Sequence, residues 1–346
     1  MNEKEKRIPV LITGVGGQLG QSIVKSIRLS KIGTTIIGTD CDSLSAGLYR
    51  IDKAYIVPQA HERSYIPTLI KIIQENSIEL VLVGSDKEVE TLAEHKKEIE
   101  GAGTKILVSD KSVIQVGDKW ELVEFLKENG LNYPETARAD DDEAVKKLMQ
   151  KGFPLIVKTC RGSGSKQVHR VQNEEELQLV LKKMPDAIVQ ELLLPDEEEY
   201  TYGSYHSGDG IIGHMLLKRE LMGGLTGKCR VVNNAAIEKY AESIITKLRP
   251  EGPCNIQMRL TKRGPVAFEI NPRFSSTVII QAKCGFNAPE LALRDKIMKK
   301  PIEKQQIRKL IALRFYEELY ITEDEHNKMK AQGMIDKPKS EVNYLL

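Results

Sequence analysis

Short apolar strands alternating with polar-faced helices over the first 110 residues constrain this chain more than any other feature. Val10-Leu11-Ile12, Thr35-Ile36-Ile37-Gly38, Ala54-Tyr55-Ile56-Val57-Pro58, Leu80-Val81-Leu82-Val83 and Lys105-Ile106-Leu107-Val108 read as strands. Residues 18–30, 64–76 and 87–100 read as amphipathic helices between them. Strands spaced by helices of this length require crossover connections, so the spacing predicts a parallel sheet of the α/β class. The polar run Ser109-Asp110-Lys111-Ser112 marks its expected end.

At 346 residues the chain exceeds one such unit, and further domains are expected. Its 51 Lys+Arg nearly balance 49 Asp+Glu, leaving a net charge of +2 and no field aimed at nucleic acid. Aromatics make up 5%, with one Trp, Trp120, which disfavours a base-stacking platform. The five cysteines (Cys41, Cys160, Cys229, Cys254, Cys284) stand apart without CxxC, the usage of a reduced cytoplasmic chain. Six scattered histidines offer no zinc spacing. Lys4, Lys6 and Arg7 precede Val10-Leu11-Ile12, but Thr13-Gly14 interrupts that run too soon for a signal peptide. No stretch approaches the ~20 apolar residues of a membrane span. Small-molecule partners are therefore expected, without nucleic acid or membrane.

Beyond residue 110 the pattern changes. A helix is expected near 119–129, capped by Asp118 and Glu121 and stopped by Asn129-Gly130. A helix over 141–151, the strand Leu155–Lys158, a Gly/Ser loop at 161–166, a helix from Glu174 to Lys183 and the strand Ala187–Gln190 follow. From 200 to 275 the pattern becomes antiparallel, with a turn at Ser207-Gly208-Asp209-Gly210 and a hairpin around Lys262-Arg263-Gly264. A strand at Lys309–Leu313, a charged helical stretch and a loose tail over 336–346 complete the reading. The expected units are 1–110, 111–190, 191–300 and 301–346.

The first turn, Thr13-Gly14-Val15-Gly16-Gly17-Gln18-Leu19-Gly20, follows a strand and opens a helix, and Asp40 ends the next strand. That arrangement can seat a dinucleotide. It is also what a tight strand-to-helix turn requires of glycine. A Tyr-xxx-Lys spacing occurs at Tyr49-Arg50-Ile51-Asp52-Lys53, only nine residues after Asp40 and too early to face a nicotinamide. A dinucleotide site, a substrate contact and a plain turn all stay open here.

The second region carries more chemistry. Alternation along Val266–Arg273 puts Glu269, Asn271 and Arg273 on one side. If the hairpin sets Gln257 opposite Glu269, one carboxylate and two amides converge, a set suited to Mg²⁺ bridged to phosphate. Lys158 ends a buried strand and runs into Thr159-Cys160-Arg161-Gly162-Ser163-Gly164-Ser165-Lys166, whose backbone can turn onto phosphates. Lys119, at the first position of its helix, opposes the macrodipole, which favours a ligand role. The strand end Gln190-Glu191-Leu192-Leu193 can meet an adenine edge, with an acidic residue of 196–199 on the ribose. Each element has a plain alternative: a solvated hairpin face, a loop tip, an exposed lysine, an acidic turn.

Taken in order, Lys119, Lys158 with its loop, Gln190–Leu193, Glu199-Tyr200-Thr201, Gln257 and Glu269-x-Asn271-Pro272-Arg273 resemble the ATP-grasp superfamily. Within it the chain is most similar to one synthetase half of the carbamoyl phosphate synthase large subunit. Asn255-Ile256-Gln257 and Glu269–Ser275, followed by Ala282–Phe286, carry the likeness, with Leu225-Thr226-Gly227-Lys228 resembling a substrate-proximal loop. The first 110 residues resemble the Rossmann-like domain that precedes the ATP-grasp fold. That fold, with a lid and an antiparallel sheet, is therefore expected after it.

The resemblance implies ATP and Mg²⁺, or Mn²⁺, as cofactors. Lys119, Lys158, Gly162, Ser163 and Gly164 would face phosphates. Glu191, Leu192 and Leu193 would face adenine, Glu199 ribose, and Gln257, Glu269 and Asn271 the metal. Arg273 and Lys158 would steady the transferred phosphoryl group. Arg230 is the candidate for a substrate carboxylate, within a surface drawn from Gly16-Gly17, Ser85-Asp86 and residues 221–230, which include Lys228. Lysine replaces the arginine common in that family at 119 and 158, and Leu225 replaces its loop histidine, which weighs against bicarbonate. The implied reaction is activation of a carboxylate as an acyl-phosphate for capture by an amine. A reductase or epimerase using NAD(P) at the first turn and a non-catalytic nucleotide-binding protein are the alternatives, and a homodimer is open.

Overall fold

The computed structural model describes residues 7–162, 167–208, 210–303 and 305–341. β1 (Ile8–Ile12), β2 (Thr34–Asp40), β3 (Lys53–Ile56), β4 (Leu80–Leu82) and β5 (Lys105–Leu107) form the expected parallel sheet, in the order β3-β2-β1-β4-β5. The apolar runs are buried because helices cover both faces, so β1 and β4 need no polar alternation. The order reverses between β2 and β4 around β1, and the turns after β1 and β4 face one crevice. Gly20 makes that packing possible, since a Cβ there would lie 2.2 Å from the Gly14 carbonyl oxygen.

The lid sheet contains β6 (Thr136–Arg138), β7 (Leu155–Thr159), β8 (Val168–Val171) and β9 (Ala187–Glu191), ordered β6-β9-β7-β8. Leu148, Leu155, Val157, Leu177 and Val189 close its small core. The third sheet runs β14-β13-β10-β11-β12-β15, from β10 (Glu199–Ser207), β11 (Gly210–Met222), β12 (Leu225–Val231), β13 (Gly252–Thr261), β14 (Gly264–Asn271) and β15 (Ile311–Leu313). One face packs on the helix Ala235–Leu248 through Ile237, Ala241, Ile244 and Ile245. The other shares a core with the first domain, where Tyr205, Leu217 and Phe286 join Val15, Ile23 and Ile27.

Three expectations change. Residues 87–100 split into helices Asp86–Glu94 and Lys96–Gly101 at His95, a bend that lets Ile99 reach the core. The helix Lys119–Glu128 belongs to the body, not the lid, because Leu122 and Leu126 bury under the antiparallel sheet. Its Asp118 cap accepts from the Trp120 and Glu121 N–H groups at 2.9 and 3.4 Å, but Asp118 N–H bonds Gln115, so the box is half made. Between the charged helix, Glu323–Gln332, and the tail read as loose over 336–346 lies an unexpected strand, β16 (Met334–Asp336), which reaches the tail's first residue and pairs antiparallel with β3 at the edge of the first sheet. Residues 342–346 lie outside the described part.

Candidate active site

The hairpin of β13 and β14 sets Gln257 opposite Glu269 and Asn255 opposite Asn271. Beyond Gln257 the register shifts, with Met258 facing Ala267, so Phe268 is the extra residue of a bulge. Glu269 Oε1 accepts from Asn271 Nδ2 at 2.8 Å and from Gln257 Nε2 at 3.2 Å. Its Oε2 meets no donor among the described residues. Asn271 Oδ1 in turn accepts from Arg273 Nη2 at 3.0 Å, and Arg273 pairs through Nε with Asp86 at the start of the first domain's helix. The hairpin is thus fastened to the crevice beside β4.

Arg219 of β11 completes this face, and the sequence reading missed it. Only 8% of its side chain is exposed. It donates to Glu199 Oε1 from Nη2 and Nε at 2.8 and 3.1 Å and to Gln257 Oε1 at 2.6 Å. Arg259 takes the other oxygen of Glu199, at 3.0 Å from Nη2 and 3.3 Å from Nε. Glu199, expected on a ribose, is therefore the buried counter-ion of two arginines. Two desolvated cations demand a shared carboxylate, and that demand fixes its place.

From the lid, Lys158 is 5% exposed and donates to Gln190 Oε1 at 2.8 Å. Its ammonium stands 5.8 Å from the centre of the Phe268 ring, so the bulge brings hairpin and lid together. Burial pushes its pKa down to about 7, helped by Lys119 and Arg259, while Glu269 pulls it up. Lys119 Nζ lies 3.4 and 3.3 Å from the carbonyl oxygens of Cys160 and Gly162, at the base of the Gly/Ser loop. Gly162 has a φ of +134°, open to glycine alone in practice. Ser163 and Gly164 lie outside the described residues.

At the end of β9, Glu191 N–H bonds Glu135 O at 2.9 Å, and its carboxylate accepts from Glu135 N–H at 2.7 Å and pairs with Arg263. The Leu193 carbonyl accepts from Arg259 at 2.6 Å, while Leu193 N–H has no acceptor among the described residues. That donor, beside half-buried Leu192, is what remains to meet a base edge.

Arg230 departs from its expected role. It faces Lys218 across β11–β12, whereas Arg219 faces Cys229, so strand alternation puts Arg230 on the opposite side of the sheet from Glu269. It is exposed there, as is Lys228, which pairs with Glu220 at 3.5 Å.

The glycine turn is closed by its own chain. Asp40 accepts from Gly16 N–H at 2.7 Å and from Ser45 Oγ at 2.8 Å. A Cβ on Gly47 would sit 1.8 Å from the Val15 carbonyl, so the segment 45–49 packs directly over the turn. Asp40 thus organises the turn where a dinucleotide site would use it for ribose. Behind it Glu88 is buried, accepting from Thr13 Oγ1 at 2.6 Å and Tyr65 Oη at 2.8 Å. Burial raises its pKa to about 7 against both hydrogen bonds.

Three stretches of the sequence match known protein families. Residues 116–200 match an ATP-grasp domain, and residues 183–318 match the ATP-grasp in the biosynthetic pathway with Ter operon. The chain carries the ATP-grasp fold. Residues 10–107 match the PylC-like N-terminal domain. The carbamoyl phosphate synthase large chain of Campylobacter jejuni is 24% identical over 320 residues, 85% of this ATP-grasp chain and 29% of that protein. The chain thus spans under a third of the curated relatives of that kind. Two solved structures share the fold. N5-carboxyaminoimidazole synthetase from Staphylococcus aureus, complexed with ADP, has a TM-score of 0.71 at 16% identity, covering 90% of this chain and 83% of that one. L-amino acid ligase from Bacillus licheniformis has a TM-score of 0.64 at 17% identity, covering 84% and 74%. No helix among the described residues is long and apolar enough to cross a membrane.

Proposed function

We propose that this ATP-grasp chain is an ATP-dependent ligase that activates a small carboxylate as its acyl-phosphate and passes the acyl group to an amine, releasing ADP and phosphate. The observation that carries the reading is the meeting of Lys158 of the lid and Lys119 of the body beside the Glu269 hairpin. Lys158 is coupled electrostatically to both Lys119 and Glu269 across the cleft between two sheets.

Phosphoryl transfer asks a protein chiefly for positioning and charge stabilisation. Lys119 and Lys158 would hold the phosphates, with the loop after Gly162 over them, and the Leu193 N–H would orient the base. Lys158, pushed toward neutrality by burial, regains its proton most readily against an anionic phosphate, so its charge is available where the nucleotide supplies the counter-charge. Arg273, anchored on Asn271 and Asp86, stands between the hairpin and the crevice of the first domain, where the acceptor carboxylate would approach. Water exclusion by the lid would protect the acyl-phosphate.

Glu269 offers a hard cation one open carboxylate oxygen, while the amide oxygens of Gln257 and Asn271 accept from Arg219 and Arg273 and would join it only by releasing those guanidinium groups; no group of three acidic, Cys or His residues occurs among the described ones. Bound through Glu269, Gln257 and Asn271, Mg²⁺ would neutralise charge on the phosphates. L-amino acid ligase and N5-carboxyaminoimidazole synthetase share the fold, and their names support C–N ligation without fixing an acid or amine here.

The test pairs Glu269→Ala with the unaltered chain. ADP release over a panel of acid–amine pairs should fall at least about 100-fold in the variant, a loss of about 2.7 kcal/mol of transition-state stabilisation. Thermal unfolding with Mg²⁺ and a non-hydrolysable ATP analogue should show a shift that NAD⁺ and NADPH do not produce. A shift with the dinucleotides alone would refute the reading, and full turnover by Glu269→Ala would refute the metal set.

A further inference from the structure

We propose that the outer edge of the antiparallel sheet docks a second copy of this chain, β15 pairing antiparallel with the partner's β15 about a two-fold axis at Ala312. The backbone shows which groups are available. Arg314 N–H bonds Gly227 O at 2.9 Å and Val231 N–H bonds Leu310 O at 3.3 Å, with Ala312 facing Cys229 between them. Even-numbered residues therefore spend their backbone groups on β12. Ile311 and Leu313 point theirs outward, and no strand covers them among the described residues.

The side chains are as unusual as the edge. Ile311 is 71% exposed, Leu313 67%, Phe315 77% and Tyr316 87%. Scattered exposed apolar residues are ordinary, but soluble proteins blunt free strand edges with charge, proline or a cover. Here four large apolar residues fall within six positions, interrupted by Ala312 and Arg314.

Charge complementarity selects the occupant. Exposed Arg308 and Lys309 precede the strand, and exposed Glu317 and Glu318 follow it. With the axis at Ala312, Ile311 faces the partner's Leu313 and the outward groups of each copy make four backbone bonds. Carried one step past Leu310 and Arg314, whose backbone groups still bond β12, that register sets Lys309 opposite Phe315 of the partner and diagonal to its Glu317. Arg308 likewise comes diagonal to the partner's Glu318. Diagonal neighbours on one face are within reach of long side chains. A parallel copy would set like charge against like. The two-fold antiparallel arrangement alone makes this edge complementary to itself, the property of an isologous interface.

The mass of the full chain in solution tests this. Light scattering after size exclusion at micromolar concentration should give twice the 38.9 kDa of one chain. Leu313→Pro deletes an outward N–H without touching a bond to β12, and should give a monomer with unchanged circular dichroism. Lys309→Glu and Glu317→Lys should each weaken the dimer at least about tenfold, and mixing the two variants should restore it. These surface changes carry the test if Leu313→Pro fails to fold. A monomeric unaltered chain would mean that the chain's own end or a different protein covers the edge, and would overturn the proposal. So would a dimer indifferent to both charge reversals.

Discussion

Replacing Glu88 with Gln should reverse sign with pH. The buried carboxyl has its pKa raised from 4.5 to about 7, because burial outweighs the two hydroxyl donors, Thr13 and Tyr65. The folded state then holds the proton more tightly than the unfolded chain. The stability this contributes is fully present below pH 4.5 and is lost as pH rises through about 7. At about 1.4 kcal/mol per pH unit the interval is worth about 3 kcal/mol, an order-of-magnitude figure. The amide never charges and, like the protonated acid, has one carbonyl acceptor, but its NH2 brings a second donor into the buried site that needs a partner, at a cost of about 1 kcal/mol. The variant should be less stable than the unaltered chain at pH 4 by about 1 kcal/mol, nearly equal to it at pH 5, and more stable at pH 8.5 by about 2 kcal/mol. Trp120 lies in the other unit and would not report this, so the readout is amide exchange along β1 and β4, compared between the two proteins at each pH. The comparison cancels intrinsic exchange, and the difference between the extremes of pH isolates the charge. A pH-independent difference would refute the assignment of Glu88 as a desolvated carboxyl.

Two further outcomes follow from the cleft. Lys158→Met should weaken binding of the ATP analogue ten- to a hundredfold, roughly 1.5–3 kcal/mol for a charge-assisted contact, measured by calorimetric titration; unchanged affinity would remove Lys158 from the phosphate site. Arg219→Ala leaves Glu199 one guanidinium instead of two and strips a donor from Gln257. It should cost about 3 kcal/mol in urea unfolding, with Arg219→Lys recovering part, and a loss below about 0.5 kcal/mol would show the pair to be inert.

Much of this was legible because strand periodicity carries its own parity. Once Lys262-Arg263-Gly264 is read as a turn, Gln257 and Glu269 can meet only in a few registers, and the observed one is that expected. Arg219 escaped because Lys218-Arg219-Glu220 is a run of charges in which alternation names two faces without saying which is buried. Only Glu199 and Arg259, 20 and 40 residues away, decide it. Glu88 reads as a carboxylate favoured by the first turn of a helix, and its burial depends on Tyr65 and Thr13 from other elements. The failure at Arg230 has the same root: a fork suited to a carboxylate was weighed by chemistry, while its face was set by pairing with Lys218. β16 is three residues long and flanked by charge, so nothing local announces a strand that is completed by β3.

The return of β16 to the first sheet also has a mechanical consequence. The chain leaves that sheet after β5 and comes back only at β16, so the antiparallel sheet and the lid form one long excursion between β5 and β16. A pulling force applied across β1 and β16 would load the first sheet alone. The cleft between the lid and the Glu269 hairpin would sit off the load path, slack until β16 peels from β3. The two chain crossings, with the core shared by Val15, Ile23 and Ile27 with Tyr205, Leu217 and Phe286, hold the first unit against the antiparallel sheet. That packing, with the pairing of Arg273 to Asp86, fixes the distance between the glycine turn and the Glu269 hairpin.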